Sequence, residues 1–558
     1  MSLRTRIPAA LAAAFLAAGV SPAAVAPAAV AQSQPLGETL TLVRGLVKKY
    51  GGEDALAKFN DGLAKALGEK GYDGLDMTKP LRGYMVLTDD PQQPGGVVML
   101  PVTGEKEFIA LLKRTKLDVT PVKGAEGLYV LEPQDGGDAE KKVRLRFAGQ
   151  HAYIGINLPD AELAASKLAT PEQVTVPGRS GLFSLRSYIQ RMPKGAMEQN
   201  KEQMEQAKGM LDGLPLPDDL KASLGKLLDT SVKFSERQYK EGDTYDVRVD
   251  LDPVTDDLTF DVILKAKPGT QLAKEIAGYK TPTNRFISLL TADTVVGFAT
   301  RLPLFTPEIR ETVVEAVKLG VASQEDKIPP PAKRLADEAL AGVLRTIKSG
   351  GFDLGFALNG PLKGGGYSLT VGVSFEDTKG LEKETRDAIK DAPEGVENFV
   401  KLDAEKANGI GIHTVELTQF VPPEGKKFLG EKSSLAFAFA PKAIYVAVGE
   451  DAVARVKTGL AGKLEPAPVV KVVTNGKRLL KLMELNESNP LAPETKALFD
   501  KEDKLVTGLS MTLEGGEAFT TRVRLRAAAF FAAGAIGVKR QGKPVPLPAA
   551  PVPAAKIK

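Results

Sequence analysis

The sequence predicts an α+β protein made of two tandem copies of an antiparallel sheet covered by helices. Three observations predict it. Short runs of apolar residues alternate at strand period, with helical periods between them. The same order of helices and hairpins is met twice along the 558 residues. Finally, Val143–Ile156 (VRLRFAGQHAYIGI) aligns without gaps on Leu435–Val448 (LAFAFAPKAIYVAV) at an offset of 292 positions. Phe147/Phe439, Ala148/Ala440 and Tyr153/Tyr445 are identical in that pair. Each block reads as two strands across a tight turn. The expected reading is a duplicated unit; a coincidence between two generic hairpins is the competing account.

The elements follow in order. Leu40, Val43, Leu46, Val47 and Tyr50 recur at helical spacing, and Leu56, Phe59, Leu63 and Leu67 do so after Gly51-Gly52. Tyr84–Leu87 and Val97–Val102 read as a hairpin turning at Asp89-Asp90-Pro91. A short helix carries Phe108, Leu111 and Leu112, strands follow at Leu128–Leu131, Val143–Phe147 and Ala152–Ile156, and a helix runs from Asp160 to Leu168. Leu182–Leu228 reads as helix-rich, and Val232–Tyr239, Tyr245–Leu251 and Leu258–Leu264 as an antiparallel meander closed by a helix at Leu272–Ile276. The order then recurs. Thr306-Pro307-Glu308 opens a helix with Thr as N-cap and Pro at the first position. Helices at Glu308–Leu319 and Ala332–Ile347 precede strands Phe352–Leu358 and Tyr367–Phe375, which are joined by the glycine-rich turn Gly360–Gly366. A helix near Leu381–Ile389 and strands at Ile410–Leu417, Leu435–Phe439 and Ile444–Val448 come next. Helices from Asp451, at Lys477–Leu485 and at Pro493–Phe499 lead to a last hairpin, Leu505–Leu513 with Phe519–Leu525.

The expected organisation is a signal peptide over 1–31, a first unit over 32–280, a second over 281–540 and a Pro/Ala-rich disordered tail over 541–558. Arg4 and Arg6 form the charged start, Ala9–Val20 the apolar run and Ala29-Val30-Ala31 an A-x-A cleavage pattern. The run is short against the ~20 residues a helix needs to cross a bilayer, although a retained anchor is the alternative. Ala527–Val538 is similarly short and reads as a buried element closing the second unit. No integral membrane span is expected in the mature chain, and its expected location is the bacterial periplasm or exterior.

Composition excludes much chemistry. With no cysteine, the chain has no disulfide, thiolate nucleophile, iron–sulfur cluster or cysteine-held zinc. Two histidines cannot build a multi-histidine metal site. A net charge of +4 carries no nucleic-acid footprint. No cofactor is expected.

Motifs are equally sparing. Ser223-Leu224-Gly225-Lys226 and Lys457-Thr458-Gly459 match parts of the serine β-lactamase set, but no Ser-Asp-Asn lies between them. Gly178-Arg179-Ser180-Gly181 misses the nucleophile elbow by one residue, and Gly360–Gly366 lacks the Lys-Ser/Thr pair of a phosphate loop. His151 falls at a hairpin turn and has Ala443 as its counterpart, while His413 lies mid-strand; both read as exposed or incidental. The acids Asp89-Asp90, Glu132–Glu140 and Asp250, Asp252, Asp256 and Asp257 read as solvated turns, with adventitious calcium at the last group as the alternative. Met197, Met204 and Leu211 fall a heptad apart. Methionine faces adapt to varied apolar partners, so this stripe is the candidate apolar groove, with ordinary core filling as the plainer account.

Leu289-Leu290-Thr291-Ala292-Asp293-Thr294-Val295-Val296-Gly297-Phe298, taken with the repeated units and the signal peptide, resembles large secreted bacterial proteins of unknown function of the planctomycete type. In those relatives a leucine-proline-alanine-aspartate phrase introduces a strand; here Thr291 stands in the proline position. The resemblance implies no function. The expectation is therefore an exported, non-catalytic envelope or periplasmic protein that binds or scaffolds a partner through its sheet faces. A carrier of lipid or another apolar ligand is the first alternative, and a hydrolase with an unrecognised site the second.

Overall fold

The computed structural model describes residues 27–526 except 87–94, 135–142, 179–180, 193, 214–217, 281, 302–306, 323–332, 393 and 486–507. The charged start and apolar run of the expected leader, the expected Asp89-Asp90 turn, the end of the Glu132–Glu140 cluster, Thr306, the expected helix at Pro493–Phe499, the Ala527–Val538 run and the expected tail lie outside the described residues.

In chain order the strands are β1 (Ala29–Pro35), β2 (Pro80–Val86), β3 (Gly95–Pro101), β4 (Leu117–Pro121), β5 (Leu128–Pro133), β6 (Val143–Ala148), β7 (His151–Ile156), β8 (Phe183–Tyr188), β9 (Gly242–Leu251), β10 (Asp257–Ala266), β11 (Thr283–Asn284), β12 (Thr294–Arg301), β13 (Asp353–Asn359), β14 (Ser368–Ser374), β15 (Val400–Ala407), β16 (Ile410–Glu416), β17 (Ser434–Ala440), β18 (Ala443–Gly449), β19 (Glu465–Pro466), β20 (Val470–Thr474), β21 (Leu509–Glu514) and β22 (Phe519–Arg526). The helices are α1 (Leu36–Leu67), α2 (Glu105–Arg114), α3 (Lys194–Asp212), α4 (Asp218–Glu241), α5 (Gln271–Gly278), α6 (Pro307–Ala322), α7 (Lys333–Ser349), α8 (Thr378–Lys390), α9 (Pro423–Leu429), α10 (Ala452–Ala461) and α11 (Gly476–Glu484).

Among the described residues, every strand except the short β11–β19 pair joins one antiparallel sheet of twenty strands, so the chain is an α+β protein. From one edge the order is β4-β5-β6-β7-β3-β2-β1-β8-β9-β10. From the other edge it is β15-β16-β17-β18-β14-β13-β12-β20-β21-β22. The two runs meet where β10 pairs with β22. Each run takes up its strands in the same relative chain order, and β6–β7 and β17–β18, which carry the matched segments, hold the same third and fourth places. Tyr153 and Tyr445 are both buried there.

Alternation decides which side chain meets which layer. At the outer end of the first run, one face buries Tyr84, Val97, Met99 and Tyr153 beneath Leu163, Val174 and Val176. The other face receives Phe108, Leu111 and Leu112 of α2 on Leu131, Leu145 and Ala152. In the second run, Ala357, Ala436, Ala438 and Tyr445 pack under Phe286, Val456 and Leu460. Small residues let these layers close: a Cβ at Gly355 or Gly372 would lie 2.3 Å from an atom of Phe286. The Leu289–Phe298 phrase has a structural role. Asp293 accepts from Thr291 Oγ1 and from Arg455 of α10, so the start of β12 is tied to the helix covering that core.

Three segments depart from the periodicity reading. Phe183–Tyr188, expected within a helix-rich stretch, is strand β8, because FSLRSY alternates and finds partners on both sides in β1 and β9. Val232–Tyr239, expected as a strand, continues α4: Glu236 reaches Lys201 of α3 at 2.6 Å and Arg237 reaches Glu275 of α5 at 2.8 Å, a helical division of partners. Asp160–Leu168 forms two 3₁₀ turns, whose one buried residue, Leu163, packs over Gly155.

Candidate functional site

Where the two runs join, the two faces of the sheet have opposite chemistry. Directly paired residues share a face, so each row can be followed strand by strand. One row begins Phe183, Val249, Phe260, Val523, Met511 and Val472 on β8, β9, β10, β22, β21 and β20. It continues through Phe298, Phe356, Val371, Val446 and Phe437 on β12, β13, β14, β18 and β17. All eleven are large and apolar, and none is fully buried; Phe260 is 37% exposed. Phe298 and Phe356 stack with ring centroids 5.6 Å apart. The neighbouring row on the same face, with Leu185, Val247, Val262, Leu513 and Val470, is half-buried as well. At ~4.8 Å per strand, eleven strands give this face a width of about 48 Å along the row.

On β8, β9, β10 and β22, where the two runs join, the reverse face is polar. Arg186 donates twice to Asp246, Nε to Oδ1 at 2.8 Å and Nη2 to Oδ2 at 2.7 Å, and the Asp246 side chain is 1% exposed. These bonds raise the Arg186 pKa above its ordinary value. Arg248, Asp261 and Arg522 stand in one row across β9, β10 and β22. Arg522 binds both Asp261 oxygens, at 2.8 and 2.9 Å, and its pKa is raised by that bonding. Gln32 Oε1 and Ser184 Oγ are buried in this layer with no hydrogen-bond partner among the described atoms.

At the far end of the apolar row His413 pairs with Phe437. It was expected as exposed or incidental and is 1% exposed, because α8 lies over it. Its Nδ1 accepts from the Asp403 backbone N–H at 3.0 Å, and Glu382 stands 3.9 Å from Nε2. Burial, then the nearby Arg386 guanidinium, lowers its pKa. Arg386 binds Asp403 at 2.8 and 2.9 Å and holds that carboxyl below its usual range.

The other sequence candidates fall as follows. Met204 and Leu211 are half-buried on α3, on the stripe flanked by Lys201 and Lys208, which pair with Glu236 and Asp229 of α4. That stripe faces the neighbouring helix; the side chain of Met197 lies outside the described residues. Lys226 binds Glu315 at 2.7 Å, and Lys457 binds Glu405, so the two β-lactamase-like fragments sit on separate helices, each in an ion pair. Asp252 caps its own turn by accepting from Val254 and Thr255, Asp256 accepts from Tyr50 Oη at 2.8 Å, and Asp257 pairs with Arg526 at 2.9 Å. His151 opens β7, its pKa lowered by burial and by the Arg82 and Lys79 charges. Among the described residues no group of three or more His, Cys, Asp or Glu is placed to hold a metal ion. No described helix is long and apolar enough to cross a membrane.

The apolar face went unread because it is spelled as large against small rather than apolar against polar. DLGFALN, SLTVGVS, SLAFAFA and AIYVAVG each put large side chains on this face and Gly, Ala, Ser or Thr mostly on the other. That size alternation is the signal that locates it.

Comparison with known proteins gives no match to any family model, curated protein or solved structure.

Proposed function

We propose that the protein is an exported, non-catalytic binding protein that holds an apolar, acyl-chain ligand on the central apolar face of its sheet. The observation that carries this reading is the row of eleven large apolar side chains on adjacent strands, ten half-buried and Phe260 exposed. A packed core buries such residues fully, and a wide apolar face left partly open to solvent suits an apolar ligand or partner. Such a surface recognises hydrocarbon by area and shape, which suits acyl chains better than a polar metabolite. The shared strand order of the two runs supports a duplicated unit, so that the face is made twice and joined across β10–β22. The leader pattern supports export to the periplasm or the cell exterior.

Native mass spectrometry of protein taken from its own envelope fraction tests the reading. A population heavier than the bare chain by the mass of a lipid, released in organic solvent, is the expected result. Bare chain alone, or a bound protein partner without lipid, would overturn it.

A further inference from the structure

The A-x-A pattern at Ala29-Val30-Ala31 sits inside β1, and this changes where the chain can be processed. Ala28, Ala29, Val30 and Ala31 are at most 2% exposed. β1 pairs with β2 through Val30–Tyr84 and Ala31–Gly83, and with β8 through Ala29–Ser187, Val30–Arg186 and Ala31–Leu185. Anchoring continues upstream. The Tyr188 N–H donates to the Ala28 carbonyl at 2.8 Å, and Arg191 Nη1 donates to the Pro27 carbonyl at 2.8 Å while its guanidinium lies over the Tyr188 ring. Val30 belongs to the first core, and Ala28 and Ala29 pack with Met85.

Removing Ala28–Ala31 would empty a lane in the interior of the sheet. β2 and β8 lie on opposite sides of that lane, and their inward backbone groups would lose partners in a buried setting, which folded proteins avoid. Between the end of the apolar run at Val20 and Pro27 the sequence offers two small-x-small patterns, Ser21-Pro22-Ala23 and Ala24-Val25-Ala26. We propose that the leader is cut at one of these two, N-terminal to Pro27, and that Ala28–Ala31 remain in the mature protein as a structural strand. This rests on the export reading above and fixes its processing site.

Intact mass and N-terminal sequencing of the exported protein, taken from the cell that makes it, test the proposal. A first residue of Ala24 or Pro27 is expected. A first residue at Ala28 or beyond, Gln32 above all, would overturn the proposal and leave export standing. A chain that keeps Met1 in every cell fraction would overturn both.

Discussion

The Arg186–Asp246 pair supports a quantitative prediction. Asp246 is 0% exposed, the Arg186 side chain is 12% exposed, and two hydrogen bonds join them across β8 and β9 beside Val30 of β1. Asp246→Ala leaves the guanidinium in place with its bidentate partner gone; Arg248, 3.5 Å from the same carboxylate, then adds a second like charge with nothing between them. Breaking a buried pair by removing one partner costs about 3–5 kcal/mol, whereas an exposed pair is worth about 0–1 kcal/mol. Urea unfolding followed by far-ultraviolet circular dichroism is the assay. The slope rises with the surface exposed on unfolding, so the loss is read as the drop in midpoint multiplied by the fitted slope and should come to about 3–5 kcal/mol. The double variant Arg186→Met/Asp246→Leu, which removes both charges and keeps similar volume, should recover most of the loss. A loss under about 1 kcal/mol for the single variant, or a double variant no better than the single, would refute the assignment of this face as a closed polar layer.

Two further predictions address the second run. Because the folded-state pKa of His413 is lowered, the unfolded chain binds the extra proton first as pH falls. Stability should therefore be level above the ordinary histidine value of about 6.5 and decline below it, and His413→Gln, which keeps an acceptor for the Asp403 N–H, should flatten that decline in pH-dependent urea titrations. Gly372→Ala puts a methyl 2.3 Å from Phe286 Cδ1 in a closed core, so it should cost about 1–3 kcal/mol by overpacking, while Phe286→Leu in the same background should return part of it.

Much of the fold is legible in the sequence because strand alternation there is strong. β6–β7, β13–β14 and β17–β18 lie where period-two runs place them, and the 292-residue offset matches segments that hold equivalent places in the strand order. What escaped reading has physical reasons. β8 is short and borders long polar helices, so its pairing comes from β1 and β9, which are distant or unread in local sequence. α4 carries Val232 and Phe234 near Lys, Glu and Arg in a spacing that also reads as alternation, and its helical state is visible in adjacent residues that pair with different helices, Glu236 with α3 and Arg237 with α5. β1 was hidden because Ala-Ala-Val-Ala spells both a peptidase pattern and a buried strand. The candidate site is the least local feature: no single strand announces a face about 48 Å wide, and it exists only once eleven strands are set side by side.

The most direct measurement is a titration of delipidated protein with a fluorescent long-chain fatty acid, comparing wild type with Phe260→Asp/Val472→Asp. Neither side chain is fully buried, so thermal unfolding of the variant should stay close to wild type while two charges break the apolar row at β10 and β20. Saturable binding by wild type, weakened at least about tenfold (~1.4 kcal/mol) in the equally folded variant, is the predicted result. Equal binding by both proteins, or none by wild type, would contradict the account.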